Sequence, residues 1–304
     1  MKVFVTGASG FNGSAVVKEL IGAGYQVVGL ARSEKSAKII HDLGAEVLKG
    51  NLEDTEILKQ GAADSDGIIH CGFNHDFMKG GATTFSEAAV TDKNAIITMG
   101  EMFAGTDKTM VVTAGMLGLP SINGFITEES IAENSLRSSE ATALALAEKG
   151  VNTSVVRLAP SVHDKGDEGF IPFMIHQARK NGVSAYPDKG KNRWVGVHRL
   201  DAARAFRLAL EKGHKGGVYN VVDQDGIEMK TIAACIADNL NLPVVSVSGE
   251  ELQKHFEWMS HFITMDCPVS NVKTQEMLGW KPLHIGLLED MKQHYFEKTG
   301  TQSI

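Results

Sequence analysis

The sequence predicts an α/β fold: a doubly wound parallel sheet with a smaller, mostly helical C-terminal lid. Three observations predict it. Short apolar runs alternate with helical stretches through the first half of the chain, a glycine-rich turn joins the first run to the first helix, and the alternation stops near Pro160. A chain of 304 residues is long enough to bury a large core without cross-links.

The elements follow in order. Residues 3–6 are β-branched and aromatic and read as the first strand, and after the glycine turn residues 14–22 read as the first helix. Further strands are expected at 27–31, 46–49, 67–70, 109–113 and 154–158, each a short apolar run set off by helical stretches. Right-handed crossovers between parallel strands put helices on both faces of the sheet and ligand sites at the strands' carboxyl ends. Beyond Pro160 the chain reads as a loop at 163–169, a helix at 172–181 and a second loop at 185–193. A strand at 217–222 rejoins the sheet, and apolar spacing predicts helices at 229–239, 250–257 and 287–296. The expected division is a first domain at 1–160, its sheet completed by parts of 194–222, and a discontinuous lid drawn mainly from 161–304.

Composition excludes several classes of function. With 30 basic and 37 acidic residues the net charge is −7, and no basic run is present to neutralise a phosphate backbone, so nucleic acid is not an expected partner. No apolar run approaches a membrane span, and the first strand follows Met1 and Lys2 too closely for a signal segment, so a soluble, cytoplasmic protein is expected. Cys71, Cys235 and Cys267 are far apart, with neither CxxC spacing nor an accompanying histidine comb, so neither a disulfide framework nor a metal is expected.

The turn reads Thr6-Gly7-Ala8-Ser9-Gly10-Phe11-Asn12-Gly13, between a strand and a helix. That context makes it the fingerprint of a Rossmann-type dinucleotide site. Gly7 permits the tight turn, Gly10 lets backbone amides of the Ser9–Phe11 stretch approach a pyrophosphate, and Gly13 lets helix and strand pack closely while the helix N-terminus faces the anion. Asn12 either caps the helix and touches phosphate or is an amide tolerated at an exposed first turn. Sites selective for NAD place a carboxylate at the end of the second strand, where it accepts bonds from the ribose hydroxyls. Arg32 stands there instead, a guanidinium suited to a 2′-phosphate, with Lys35 adding positive charge and Glu34 opposing it. NADP(H) is therefore the preferred cofactor and NAD(H) the alternative.

The glycine spacing, followed by Gly50-Asn51-Leu52-Glu53-Asp54 and by Ile68-Ile69-His70-Cys71-Gly72-Phe73, resembles the extended short-chain dehydrogenase/reductase superfamily, the epimerase/dehydratase-like group. The resemblance spans nearly the whole chain. It implies that Asn51 and Leu52 touch the adenine and that Gly72 and Phe73 line the dinucleotide from below. Val155-Val156-Arg157-Leu158-Ala159-Pro160 is similar to the strand entering the nicotinamide end, which assigns Pro160 to the cofactor. The segment from Trp194 to Asp201 resembles the dock for the lid, and Leu278-Gly279-Trp280-Lys281-Pro282 the C-terminal turn. The nearest likeness is to an atypical branch carrying a His-Arg-Leu-Asp-Ala segment.

Chemistry in that superfamily uses Tyr-x-x-x-Lys on one helical face, where the ammonium lowers the phenol pKa. The four tyrosines, Tyr25, Tyr186, Tyr219 and Tyr295, are followed four positions on by Gly29, Gly190, Asp223 and Thr299, so the pair is absent. Counting back from Arg157 puts Leu136 near the tyrosine position and Glu140 near the lysine position, and Thr113 at the family's Ser/Thr position. Three readings stand. The first is a reductase of small aldehydes or ketones in which NADPH supplies hydride and Thr113, Arg137 or a water held by Glu140 supplies or steadies the proton. The second is an epimerase, dehydratase or isomerase using His75, Asp76, His163 and Asp164. The third is a non-catalytic dinucleotide sensor. Trp194, with Trp258, Phe256 and Phe262, either walls the substrate pocket or belongs to the lid core. A small carbonyl compound is the expected partner, and a monomer or homodimer the expected state.

Overall fold

The computed structural model describes residues 1–76, 81, 83–131 and 137–296. Along the first half run β1 (Lys2–Thr6), α1 (Phe11–Gly22), β2 (Gln26–Ala31), α2 (Glu34–Asp42), β3 (Glu46–Lys49), α3 (Thr55–Ala63), β4 (Gly67–His70), α4 (Phe85–Glu101), β5 (Thr109–Gly115), α5 (Ser139–Glu148) and β6 (Asn152–Leu158). These six strands and β11 (Val218–Val221) form a seven-stranded sheet, parallel throughout, in the order β11-β6-β5-β4-β1-β2-β3. The order reverses between β1 and β4, which opens a crevice beyond their carboxyl ends.

Side chains alternate between two apolar layers, as the period of a strand requires. Val3, Val5, Ile69, Val111 and Val156 pack against α1 and α7 (Arg199–Lys212), while Phe4, Ile68, Met110, Val112 and Val155 pack against α3, α4 and α5. Both faces are buried, so the strands read as continuous apolar runs.

The rest of the chain contributes β7 (Ser161–His163), α6 (Phe170–Asn181), β8 (Ser184–Pro187), β9 (Arg193–Trp194), β10 (Gly196–His198), β12 (Ile227–Glu228), α8 (Met229–Leu240), β13 (Val244–Val247), α9 (Gly249–Phe256), α10 (Ser260–Ile263), α11 (Val272–Leu278) and α12 (Leu287–His294). Its core, with Ile171, Met174, Ile232, Ile236, Leu287 and Met291, is continuous with the α1/α7 layer. Three departures from the sequence reading have physical causes. Helix α6 begins at Phe170, two residues early, because Pro172 falls in its first turn, where no intrahelical N–H bond is lost. The expected loop at 185–193 opens instead with β8, which pairs in parallel with β13 and so gains a ladder partner that local sequence does not reveal. The docking segment read at 194–201 runs at its end into α7, for which no helix was expected and whose Ala202, Ala205, Phe206 and Ala209 are fully buried. The docking itself is present: Asp201 accepts hydrogen bonds at 2.9 Å from the backbone N–H of both Leu283 and His284, and the Trp280 indole donates to its carbonyl at 2.9 Å.

Candidate functional site

The glycine turn has the backbone that its sequence requires. Gly7 takes a φ of +66°, and a Cβ there would lie 2.8 Å from the Cys71 carbonyl carbon and oxygen and from the Gly72 nitrogen. A Cβ on Gly13 would stand 2.0 Å from the Gly7 oxygen. The Gly10 amide closes the turn on the Gly7 oxygen at 2.9 Å, and α1 starts at Gly10 with no side-chain cap. No cap side chain takes up its first amides, and Asn12 Oδ1 is buried without a hydrogen bond. A cradle that any side chain would fill, at an uncapped helix N-terminus, fits a dinucleotide pyrophosphate. Ser9, Gly10 and Phe11 would supply the amides.

At the carboxyl end of β2, Arg32 is exposed and pairs with Asp76 at 3.3 and 3.4 Å. Asp76, expected with the substrate, is thus engaged by Arg32 beyond the carboxyl end of β2. Ser33 caps α2 by accepting the Ser36 amide at 3.1 Å, and Lys35 is exposed in the first turn of that helix. Glu34 does not oppose Arg32, because Lys49 holds it at 2.6 Å. Asn51 is exposed and folds into a local turn, its Oδ1 accepting the amides of Glu53 and Asp54 at 2.7 and 3.1 Å. Leu52 packs near Gly72, where a Cβ would meet Leu52 Cδ2 at 3.2 Å.

Beneath the far end of the crevice runs a buried polar chain that sequence reasoning missed. Thr6 Oγ1 accepts the Gly72 amide at 3.1 Å and lies 2.7 Å from His70 Nδ1. His70 Nε2 lies 3.1 Å from Asp92 Oδ1, and Asp92 Oδ2 accepts the Ser139 hydroxyl at 2.5 Å. Ser139 Oγ in turn accepts Arg137 Nε at 2.8 Å, and Arg137 Nη2 reaches the Thr113 carbonyl at 3.4 Å and Asp92 at 3.7 Å. Thr6, His70, Asp92 and Ser139 are wholly buried. Burial works against ionisation of Asp92, but His70, Arg137 and Ser139 outweigh it and hold the carboxyl below its usual range. The guanidinium of Arg137 lies over the Phe73 ring, 4.1 Å from its centroid, and that ring also meets His75 edge-on at 5.1 Å. Thr113 and Arg137 are thus brought together, with Phe73 and His75 beside them.

Other expectations are corrected. Both oxygens of Glu140 accept from Arg157, each at 2.6 Å, so Glu140 is a structural ion-pair partner and not the holder of a water. The Thr113 hydroxyl donates to the His70 carbonyl at 2.8 Å, which commits the proton it was expected to give. His163 is fully buried, 2.8 Å from Asp290 and 3.5 Å from Asp223, and joins β7 to α12 instead of facing a substrate; burial lowers its pKa, and the two carboxylates outweigh that and raise it. Trp194 is also fully buried, donating to the Met265 carbonyl at 3.2 Å and packing on Phe170 at 5.2 Å, so it belongs to the lid core. Of its expected companions, Phe256 is buried and Trp258 is partly exposed against Phe173 at 4.9 Å. Pro160 stands half-buried between β6 and β7, and Leu136 lies outside the described residues. Among the described residues Asp164, Asp290 and His294 bring one ligand atom each within 4.8 Å of one another. Asp290 is already engaged by His163 and His294, at 2.8 and 2.5 Å.

Beside this cluster, burial pushes the Asp167 carboxyl from 3.8 up to about 6. Its oxygens accept the Gly169 amide at 2.7 Å and the Tyr295 hydroxyl at 2.9 Å. A carboxyl that holds its proton more tightly in the folded state than in the unfolded one loses stability as pH rises from about 3.8 through about 6. An asparagine at this position would imitate the protonated form, so Asp167→Asn is expected to be more stable than the wild type at pH 8 by about 1–2 kcal/mol, and level with it near pH 4. Urea unfolding at the two pH values checks this; equal differences at both would refute it.

The NAD(P)H-binding family matches residues 7–182, more than half of the chain, including Gly7, Gly10 and Gly13 of the turn. The chain belongs to the NAD(P)H-binding family. A member in Saccharomyces cerevisiae, itself uncharacterised, is 46% identical over 97% of this chain and 99% of its own. A ketoreductase of Stigmatella aurantiaca, acting on a farnesylated 3-oxo-dihydroquinoline N-oxide, is 26% identical over 78% of this chain and 73% of its own. Among solved structures, UDP-glucose 4-epimerase from Thermotoga maritima superposes with a TM-score of 0.77 at 20% identity, over 98% of this chain and 99% of that one. The protein is thus an NAD(P)-binding, oxidoreductase-like one, and its sheet and C-terminal region share the fold of the epimerase. Among the described residues, no helix is long and apolar enough to cross a membrane.

For this NAD(P)H-binding protein one missed residue had a readable signal. Asp92 falls on the apolar stripe of α4 formed by Ala88, Ala89, Ala95, Ile96 and Met99, all buried. A lone carboxylate on such a stripe must have partners, and the histidine ending the apolar run 67–70 was one of them.

Proposed function

We propose that the protein is an NADPH-dependent reductase of small aldehydes or ketones in which Arg137 replaces the missing tyrosine as the hydrogen-bond donor to the carbonyl oxygen. The observation that carries this reading is the fixed guanidinium of Arg137, oriented by Ser139 and Asp92 and stacked on Phe73. A bound NADPH would supply the hydride and its electron pair. As the carbonyl carbon is reduced, negative charge gathers on its oxygen, and a guanidinium already oriented stabilises that charge without reorganising. Both Glu140 oxygens accept from Arg157, and the Thr113 hydroxyl donates its hydrogen bond to the His70 carbonyl, so the proton that completes the alcohol enters from water. The Stigmatella ketoreductase supports the reaction class. Reading the site as an isomerase is weakened by the burial of His163 and by the pairing of Asp76 with Arg32. The test is NADPH consumption in proportion to carbonyl added, across aliphatic and aromatic aldehydes and 3-oxo compounds; no consumption above the buffer rate removes the reading.

The preference for NADPH rests on Arg32, Ser33 and Lys35 around the start of α2. Arg32→Ala is expected to weaken NADPH about tenfold, the scale of a charge-assisted bond to phosphate at an exposed site, and NADH less than about threefold. Fluorescence titration of both cofactors measures it, and equal losses would sink the 2′-phosphate role.

A further inference from the structure

A further guanidinium, that of Arg199, is set beside the glycine turn by a different part of the chain. Helices α1 and α7 lie side by side and run parallel, because their contacts keep the same order: Arg199 meets Ser14, Arg207 donates to Glu19 at 2.7 Å, and Glu211 accepts from Tyr25 at 2.9 Å. Their N-termini therefore open at the same edge of the sheet, each carrying the partial positive charge of a helix start. Arg199 is the first residue of α7, and its guanidinium lies over the Phe11 ring at 4.5 Å and donates through Nη2 to Ser14 Oγ at 3.0 Å.

Among the described residues no acid forms an ion pair with Arg199. The carboxylate that bears on Arg199 electrostatically, Asp164, forms no ion pair with it among the described residues, and is bound to the Lys165 amide at 2.7 Å. The acid of α7's own first turn, Asp201, is wholly buried and turned toward Leu283 and His284. Arg199 Nε is buried with no hydrogen-bond partner. The bond to Ser14 joins the two helices through one nitrogen only, and it leaves Nε unsatisfied and the charge without an ion pair.

We infer that Arg199 is a positioning residue for the dinucleotide's diphosphate, completing from α7 the anion site that the glycine turn and the start of α1 begin. The ligand class is any nucleotide with a diphosphate bridge, and the inference stands apart from whether a carbonyl is reduced. It also gives the segment from His198 to Asp201 two tasks on neighbouring residues: Asp201 anchors the C-terminal segment and Arg199 faces the cofactor.

The test compares Arg199→Gln, which removes the charge but keeps a donor for Ser14, with Arg199→Lys, which keeps the charge. The ligands are ADP-ribose, which has a diphosphate and no nicotinamide, NADH, and 2′-AMP, which has no diphosphate. R199Q is expected to weaken ADP-ribose and NADH by about 10- to 50-fold, and R199K by about threefold, with 2′-AMP within about twofold in both. ADP-ribose binding to R199Q should also depend less on salt. Arg199→Met, whose stem still covers Phe11, gives the same reading if the glutamine is not tolerated. ADP-ribose affinity within twofold of the wild type in the uncharged variant overturns the inference. So do equal losses for R199Q and R199K, or a loss of 2′-AMP as large as that of ADP-ribose. If 2′-AMP binds no form of the protein, the NADP preference fails, and the ADP-ribose comparison still decides the role of Arg199.

Discussion

Arg157→Met is expected to lower the free energy of unfolding by about 3–5 kcal/mol, among the largest effects of any single side chain here. Arg157 is 1% exposed and serves five acceptors: both Glu140 oxygens, the carbonyls of Thr127 and Ser130, and Asn220 Oδ1. It thereby ties α5, the 127–130 turn and β11 to β6. Removing it strands a carboxylate whose side chain is 14% exposed, together with two carbonyls. Glu140→Gln leaves the guanidinium its other acceptors and should cost less, about 1–3 kcal/mol. The double variant Arg157→Met/Glu140→Leu should recover part of the loss, since a buried pair replaced whole is tolerated better than a pair cut in half, but not all of it, since the carbonyls stay unpaired. Urea denaturation of the three variants completes the cycle. An Arg157→Met protein within 1 kcal/mol of the wild type would mean that this pair does not hold α5 in place.

The same pair shows what the sequence could and could not convey. The sheet was readable because both of its faces are buried, so each strand is an apolar run. The glycine turn was readable because Gly7 and Gly13 meet backbone at distances that no side chain survives. Glu140 stood in the sequence at a catalytic position by analogy, yet its partner lies 17 residues away on the neighbouring strand, and nothing local announces that both oxygens are taken. His163 was mistaken for a pocket residue for the same reason. Residue type is visible in a sequence, but depth is not, and its Asp290 partner is 127 residues distant. Strand β8 escaped notice because Ser184–Pro187 has little strand character of its own and gains it from pairing with β13. Arg137 and Thr113 were found as types suited to a carbonyl site; the chain from Thr6 to Ser139 that fixes Arg137 was visible only in the lone carboxylate on the apolar face of α4.

That chain sets the second large effect. Arg137→Gln is expected to lower kcat/KM for carbonyl reduction by about 10²–10³-fold, the range for loss of one oriented donor to a developing oxyanion, with NADPH affinity changed less than about threefold. The separation follows from geometry: Arg137 lies at the carboxyl end of β5 near Thr113, whereas the diphosphate and ribose contacts proposed above would come from α1, α2 and α7. Ser139→Ala and Asp92→Asn leave the guanidinium in the protein but loosen its orientation, so they should lower kcat by about tenfold and leave KM nearly unchanged. Asp92→Asn also removes the charge that faces Arg137 at 3.7 Å and His70 at 3.1 Å, so its melting temperature should fall further than that of Ser139→Ala. Arg137→Lys keeps the charge without the planar fork and should recover only part of the rate, because Lys cannot bond Ser139 and the oxygen in one plane. Full kcat/KM in Arg137→Gln would remove the residue from the chemistry and return the proton question to water alone, while a loss shared equally by NADPH binding would make Arg137 a cofactor contact instead of an oxyanion donor.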